Sequence, residues 1–227
     1  MPLQILYQDD HLIAINKPHG LLVHRSAIAA DASEFAVQIL RNQIGQKVYP
    51  VHRLDRKTSG VLLFAKDEAS NSQLQQAFMN KEVTKKYLAI VRGFTPENGT
   101  IDYPFTTEND KIQEAITHYR TLQYFEIPLP LGKFETSRYS LLEVTPETGR
   151  MHQIRKHFAH IFHPIIGDRP YGCNKQNKLF LEKWQMNTML LHASELEFKN
   201  PFSDEIIIVK AEVQEEFKRV LNFLSNE

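Results

Sequence analysis

The stretch VHRLDRKTSGVLLFAKD, Val51 to Asp67, decides how the rest of the chain is read. It holds one internal carboxylate, Asp55, among Arg53, Arg56 and Lys57, just after a break at Pro50. The run Val61-Leu62-Leu63-Phe64-Ala65 predicts a short buried strand, entered through Thr58-Ser59-Gly60. Asp67 closes the stretch and can cap a following helix. An acid placed where a loop meets a core strand is rigidly held yet reachable, as a reacting group needs to be. Flanking cations favour its ionised form, because opposite charge within a few ångströms stabilises a carboxylate. Two readings stand on spacing alone: an anionic nucleophile in a basic cleft, or half of a surface ion pair in a charged turn.

Bulk properties narrow the classes. A chain of 227 residues with 42% hydrophobic content can bury one core of α/β or α+β type and shows no signature of disorder. The 27 basic residues cancel the 27 acidic ones, so net charge argues for no partner. Distribution says more. Gly149 to Lys178 carries Arg150, Arg155, Lys156, Arg169, Lys175 and Lys178 against the single acid Asp168, with four histidines added. A basic face on a neutral protein suits local docking to a polyanion. The lone Cys173 excludes an internal disulfide framework and fits a reducing compartment. There is neither a signal-peptide pattern nor an apolar run of spanning length, so a cytoplasmic location is expected.

In chain order, Leu3 to Tyr7 and His11 to Lys17 predict two strands around the turn Gln8-Asp9-Asp10, and NKPHG makes a sharp exit at Pro18 and Gly20. A helix is expected over Ser33 to Gly45, capped by Ser33 and stopped by Gly45. Another is expected over Asp67 to Lys81, with Leu74, Ala77 and Phe78 inward. Val83 to Gly93 alternates Tyr87, Ala89 and Val91 against Lys86, Leu88 and Ile90, a strand pattern. Tyr87 could simply fill the core, or could offer a flat ring and a hydroxyl to a ligand. Thr95 to Glu114 is polar and broken by Pro96, Gly99 and Pro104, and reads as a connecting excursion. Two more strands follow around the turn PLPLGK.

From Thr148 to Gly172 the text is TGRMHQIRKHFAHIFHPIIGDRPYG. Ile154, Phe158, Ile161 and Phe162 form the expected buried stripe of a helix that Pro164 ends. Arg155 lies at the edge of that stripe, and His152, Lys156 and His163 share the opposite face. The i, i+3 pairs His157/His160 and His160/His163 have metal-ligand spacing, but no third ligand is in view and no metal is expected. Met189 to Phe198 and Ile206 to Lys210 predict a hairpin around NPFSDE, and Val213 to Leu224 a terminal amphipathic helix.

HRLDRKTSG with its aliphatic run, ILYQDDHLIAINKPHGLLVH, KKYLAIVRG and TGRMHQIRKH with HPIIGDRPYG resemble the signatures of the RluA-type pseudouridine synthases over nearly the whole chain. The resemblance implies an α+β fold, a mixed and mostly antiparallel central sheet flanked by helices, as one catalytic domain over residues 1–227 without an S4-like domain. It implies that Asp55 attacks the nucleotide being isomerised, that Tyr87 lies against the target base and that Arg155 pairs with the aspartate. Arg53 is implied to fill the space of an extruded nucleotide, while Arg56, Lys57, Arg150, His152 and Lys156 are candidate RNA contacts. The NKPHG turn is implied to support the site, and no catalytic role is assigned to Lys17 or His24. LVHRS, QIGQ, ITHYR and ETSRYSLLEVTPETGR are most similar to a member acting on the acceptor-stem side of tRNA. An RNA substrate, tRNA favoured, is therefore expected, with no cofactor, no membrane partner and a monomeric state. Lys57 stands where many relatives have an acid, and the excursion before ITHYR is short; both bear on substrate choice.

Two other classes compete. An RNA-binding module would keep the basic face without needing Asp55 or Tyr87. A phosphoryl-transfer enzyme is suggested by HRLD, but no glycine-rich phosphate loop accompanies it.

Overall fold

The computed structural model describes residues 2–24, 34–107 and 109–226. The elements run β1 (Gln4–Gln8), β2 (Leu12–Lys17), α1 (Ala36–Ile44), β3 (Tyr49–Pro50), β4 (Ser59–Ala65), α2 (Glu68–Met79), β5 (Thr84–Arg92), β6 (Asn98–Asp102), β7 (Phe105–Thr106), β8 (Ile112–Gln113), β9 (Ile116–Ile127), β10 (Ser137–Pro146), α3 (Gln153–His160), α4 (Asn174–Trp184), β11 (Leu191–Lys199), β12 (Ile206–Lys210) and α5 (Glu215–Asn226). The class is α+β with mostly antiparallel strand pairing and flanking helices, as expected. The described residues fall into two compact units, one of Met1–Lys85 with Ala193–Val213, the other of Lys86–His192 with Gln214–Glu227.

In the first unit the strand order is β1-β2-β4-β11, with β12 on β11 and β3 also on β4. All seven residues of β4 are buried, which is why its run from Val61 to Ala65 is continuously apolar rather than alternating. Val61, Leu63 and Ala65 face one way and pack with Leu12, Ala14, Leu196, Phe198 and Val209, under Leu74, Ala77 and Phe78 of α2. Asp67 caps α2 as its sequence position promised: Oδ1 accepts from the Ser70 N–H at 2.8 Å and Oδ2 from the Ser70 hydroxyl at 2.6 Å. Asp9 ties the β1–β2 turn by accepting from the N–H groups of His11 and Leu12. Gly45 ends α1 in the left-handed conformation, φ 69°. The expected cap Ser33 lies outside the described residues, and α1 follows Phe35.

The second unit orders β5-β10-β9-β6. Tyr87, Ala89 and Val91 share a face with Leu142, Val144 and Tyr119, and Ile154 and Phe158 of α3 cover it. Trp184 of α4 stacks on Phe223 of α5 at 6.0 Å, and Phe180 meets Tyr139 edge-on at 5.3 Å.

Three expectations need correction. The segment Thr95 to Glu114 is more than an excursion, because β6 pairs with β9 from Asn98↔Arg120 to Asp102↔Ile116. Partner-strand hydrogen bonding there outweighs a polar, glycine-containing sequence. Helix α3 stops at His160, short of Pro164. Phe162 takes φ 63°, its N–H bonds to the Ala159 carbonyl at 3.1 Å, and the His163 N–H reaches the Phe158 carbonyl at 2.8 Å. That is a Schellman turn with phenylalanine in the glycine position. It swings Phe162 out of the predicted buried stripe to 86% exposure. Helix α4 was not anticipated: its stripe Gln176, Phe180, Trp184 is buried, but basic and amide residues between them mask it.

Gly60, the second residue of β4, has φ +109°, and a Cβ there would sit 2.1 Å from the Ala193 carbonyl oxygen. Gly60→Ala is expected to destabilise the protein by on the order of 3 kcal/mol, read from urea midpoints. A change below about 0.5 kcal/mol would contradict this account of the strand entry.

Candidate active site

The ladder between β3 and β4 delivers the aspartate. Pro50 pairs with Phe64, and the Val51 N–H then bonds the Leu63 carbonyl at 3.1 Å. One residue on, the His52 side chain replaces backbone: its Nε2 accepts from the Leu63 N–H at 3.1 Å while the ring stacks on Phe78 at 5.0 Å. The backbone is thereby released from the sheet. Leu54 turns into the core at 8% exposure, leaving Arg53 exposed and Asp55 half-buried.

Asp55 is the first residue of a tight turn whose carbonyl accepts from the Thr58 N–H at 3.1 Å, a position aspartate favours. The NKPHG turn braces this one. The Gly20 N–H donates to the Arg56 carbonyl at 2.8 Å, and Arg56 Nε donates back to the Gly20 carbonyl at 3.1 Å. Lys17 is completely buried, and its Nζ donates to the carbonyls of Pro18 (3.0 Å), Leu21 (2.8 Å) and Arg56 (3.2 Å). Burial pushes its amine down to about 7, against the opposing pull of the Asp55 charge. Burial, with the charges of Lys17 and Lys57, likewise lowers His19 to about 4. The braced turn thus carries a half-buried carboxylate whose neighbours in sequence are Arg53, Arg56 and Lys57.

In the second unit Tyr87 is half-buried against the cluster that includes Ile154 and Phe158, so it and α3 share one packed layer. Arg155 on that helix is 6% exposed. Its Nε and Nη2 each donate at 2.8 Å to the two oxygens of Asp168, which is fully buried. Asp168 is thus a partner of Arg155 within this unit that the sequence reading did not name. A guanidinium has five N–H donors, so the two bonds to Asp168 do not exhaust it. The signal was present, since Asp168 is the sole acid of its basic tract.

The remaining candidates divide. Arg150 is exposed, its Nε donating to the Glu114 carbonyl at 3.0 Å. Lys156 lies over the Phe105 ring at 4.8 Å. His152 enters α3 with φ 59° and pairs its Nδ1 with the Tyr171 hydroxyl at 3.0 Å. His157 is buried with both nitrogens engaged, by Thr117 Oγ1 at 2.9 Å and the Tyr103 carbonyl at 3.1 Å. Because a carbonyl only accepts, Nε2 carries the proton, and burial holds the ring below the usual histidine range. His160 stacks on Tyr103 at 3.7 Å and His163 Nδ1 bonds the Arg92 carbonyl at 2.8 Å. Among the described residues no three histidine, cysteine or acidic side chains gather as metal ligands, and no helix is long and apolar enough to cross a membrane.

Comparison with known proteins specifies the class of protein to which this fold belongs. The family model for RNA pseudouridylate synthase matches residues 11–160, and the chain belongs to that family. It is a pseudouridine synthase. It is 46% identical over 229 residues to tRNA pseudouridine synthase C of Vibrio parahaemolyticus, spanning 96% of this chain and 93% of that one. It is 44% identical to the protein of the same name from Haemophilus influenzae, spanning 97% of each. Among solved structures, human RNA pseudouridylate synthase domain containing 4 superposes with a TM-score of 0.75 at 27% identity, covering 98% of this chain and 93% of that one.

Burial and the Lys85 charge lower His52 to about 3. Its pKa in the unfolded chain is near 6.5, so between those values the unfolded state binds more protons. Stability therefore rises with pH across that window and is lost on acidification, by up to about 1.4 kcal/mol per pH unit. His52→Gln, whose amide oxygen can accept from Leu63 without titrating, is expected to flatten the slope of urea midpoints between pH 6.5 and 4. An unchanged slope would contradict the role of this ring.

Proposed function

We propose that the chain isomerises a uridine of tRNA, on its acceptor-stem side, to pseudouridine, with Asp55 as the reacting carboxylate. The observation that carries this reading is the brace on the Asp55 turn, which holds a half-buried acid, flanked in sequence by Arg53, Arg56 and Lys57, just before a buried strand. The tRNA substrate is supported by the name of the 46% identical relatives. The family model runs over residues 11–160 and so through parts of both compact units, which supports treating them as one catalytic domain.

The chemistry needs no external electron source. The C1′–N1 bond of uridine breaks with its electron pair moving into the uracil ring, whose anion is resonance-stabilised. A carboxylate can trap the electron-poor C1′, as in retaining glycosidases. The uracil turns, C5 bonds to C1′, and the carboxylate is released. C5 then loses its proton and N1 regains one, so the product is an isomer. Two other routes use the same ionised acid, removal of a sugar proton to give a glycal or addition to the base. Tyr87 supplies a flat ring and a hydroxyl suited to the C5 proton transfer, and Arg155 a charge to orient the carboxylate. The nucleotide must leave its stack at a cost of a few kcal/mol, and exposed Arg53 is assigned to filling its place. Arg56, Lys57, Arg150, His152 and Lys156 are assigned to the RNA backbone, which carries most of the affinity.

Tritium release from tRNA labelled at uridine C5 tests the assignment. Asp55→Asn is expected to lose turnover by more than about a thousandfold while keeping its fold and RNA affinity, since charge and nucleophilicity alone change. Measurable wild-type release by this variant would refute the nucleophile, and binding of RNA with no release by wild type would favour a binding module instead.

A further inference from the structure

We infer that Asp168 and Tyr171, on the turn Gly167 to Gly172, are positioning residues that hold the Arg155 guanidinium in one plane and one direction for the isomerisation. This rests on the assignment of Arg155 to that reaction and adds two residues which act through it.

The turn is built as a holder. At the edge of the guanidinium, the Asp168 carboxylate takes both its Nε and its Nη2 at 2.8 Å, a parallel fork that fixes position and rotation together. Above it, the Tyr171 ring lies 5.1 Å away, and its hydroxyl is tied to His152 Nδ1 at 3.0 Å. The holder is itself anchored to α4, where Asn177 accepts from the Gly167 N–H at 2.9 Å and donates to the Asp168 carbonyl at 2.7 Å. Chain packing around it is tight: a Cβ on Gly167, at φ +80°, would sit 1.7 Å from the Thr188 carbonyl oxygen.

Such a pair is a poor way to gain stability. Burying both charges costs about as much as their attraction returns, and an apolar pair of similar volume often does as well. What the fork and the neighbouring ring supply is direction. A reaction that must align a carboxylate with C1′ is sensitive to direction, since displacement of a positioning group by about 1 Å can cost a hundredfold in rate.

The test is a cycle of single-turnover rates of pseudouridine formation in tRNA, with RNA affinity and thermal melting measured on the same proteins. Asp168→Asn keeps one acceptor and loses the charge. It is expected to slow the reaction by about a hundredfold with the RNA Kd within about twofold of wild type. Arg155→Ala is expected to be at least as slow, and the double variant no slower than Arg155→Ala alone, because Asp168 acts only through that guanidinium. Effects that multiply in folded proteins, or a wild-type rate for Asp168→Asn, would overturn the proposal. Should Asp168→Asn not fold at the assay temperature, Tyr171→Leu takes its place. It is expected to be slower by about tenfold in the wild-type background and to add nothing in the Arg155→Ala background; a wild-type rate or a multiplied loss overturns the proposal. Arg155→Ala turning over at the wild-type rate is a distinct result, which removes Arg155 from the reaction and this proposal with it, while leaving the role of Asp55 intact.

Discussion

The carbonyl oxygen of Arg56 accepts two hydrogen bonds, from the Gly20 N–H at 2.8 Å and from Lys17 Nζ at 3.2 Å, and the direction of Asp55 depends on them. A turn on a protein surface would otherwise sample many directions, and ordering it costs entropy that its own backbone bond does not recover. The cost is offset from behind, by a lysine that ends β2 and spends its three donors on three carbonyls. A neutral amine has only two hydrogens to give, so the tripod fits the ammonium form even though burial pulls the amine down to about 7. The Asp55 charge opposes that pull and favours the ammonium form of the lysine.

The second unit reaches rigidity by other means with the same logic. Helix α3 begins without a side-chain cap, at His152 in the left-handed conformation. Buried Gln153 does the anchoring: its Oε1 accepts from the Thr148 hydroxyl (2.7 Å) and the Arg150 N–H (3.0 Å), while its Nε2 donates to the Ile116 carbonyl (2.9 Å) and Thr117 Oγ1 (3.0 Å). Thr117 also meets His157 one turn along the same helix. Fully satisfied buried networks of this kind rigidify and specify a unique arrangement. The helix that carries Arg155 is thus fixed by amide and imidazole groups on its inner side as much as by Ile154 and Phe158.

Much of this was legible before any coordinates. Continuous apolar β4, the alternation of β5, the Asp67 cap and the hairpin of β11 and β12 follow from local pattern, because each answers to a period or a turn chemistry that neighbours in sequence impose. What escaped depends on a distant partner strand, on a masked stripe or on a turn without glycine. The edge strand β6 is polar and exists through β9, α4 hides its stripe among lysines and asparagines, and Phe162 leaves the core because a Schellman turn replaces a longer helix. At the candidate site the sequence pointed to Asp55, Tyr87 and Arg155. It did not reveal that Lys17 is entirely buried, that His52 substitutes for backbone in the β4 ladder, or that Arg155 is forked onto Asp168. Each of these is a polar contact set by how turns and strands meet, for which sequence spacing carries no periodicity.

The brace is tested most directly by the single-turnover rate of pseudouridine formation in tRNA for Lys17→Met, compared with wild type at a temperature where both are folded. Methionine fills the volume of the stem and removes the three donors. The account predicts a fall of about a hundredfold in rate with the affinity for tRNA within about twofold of wild type. A folded Lys17→Met enzyme that matches the wild-type rate would contradict it.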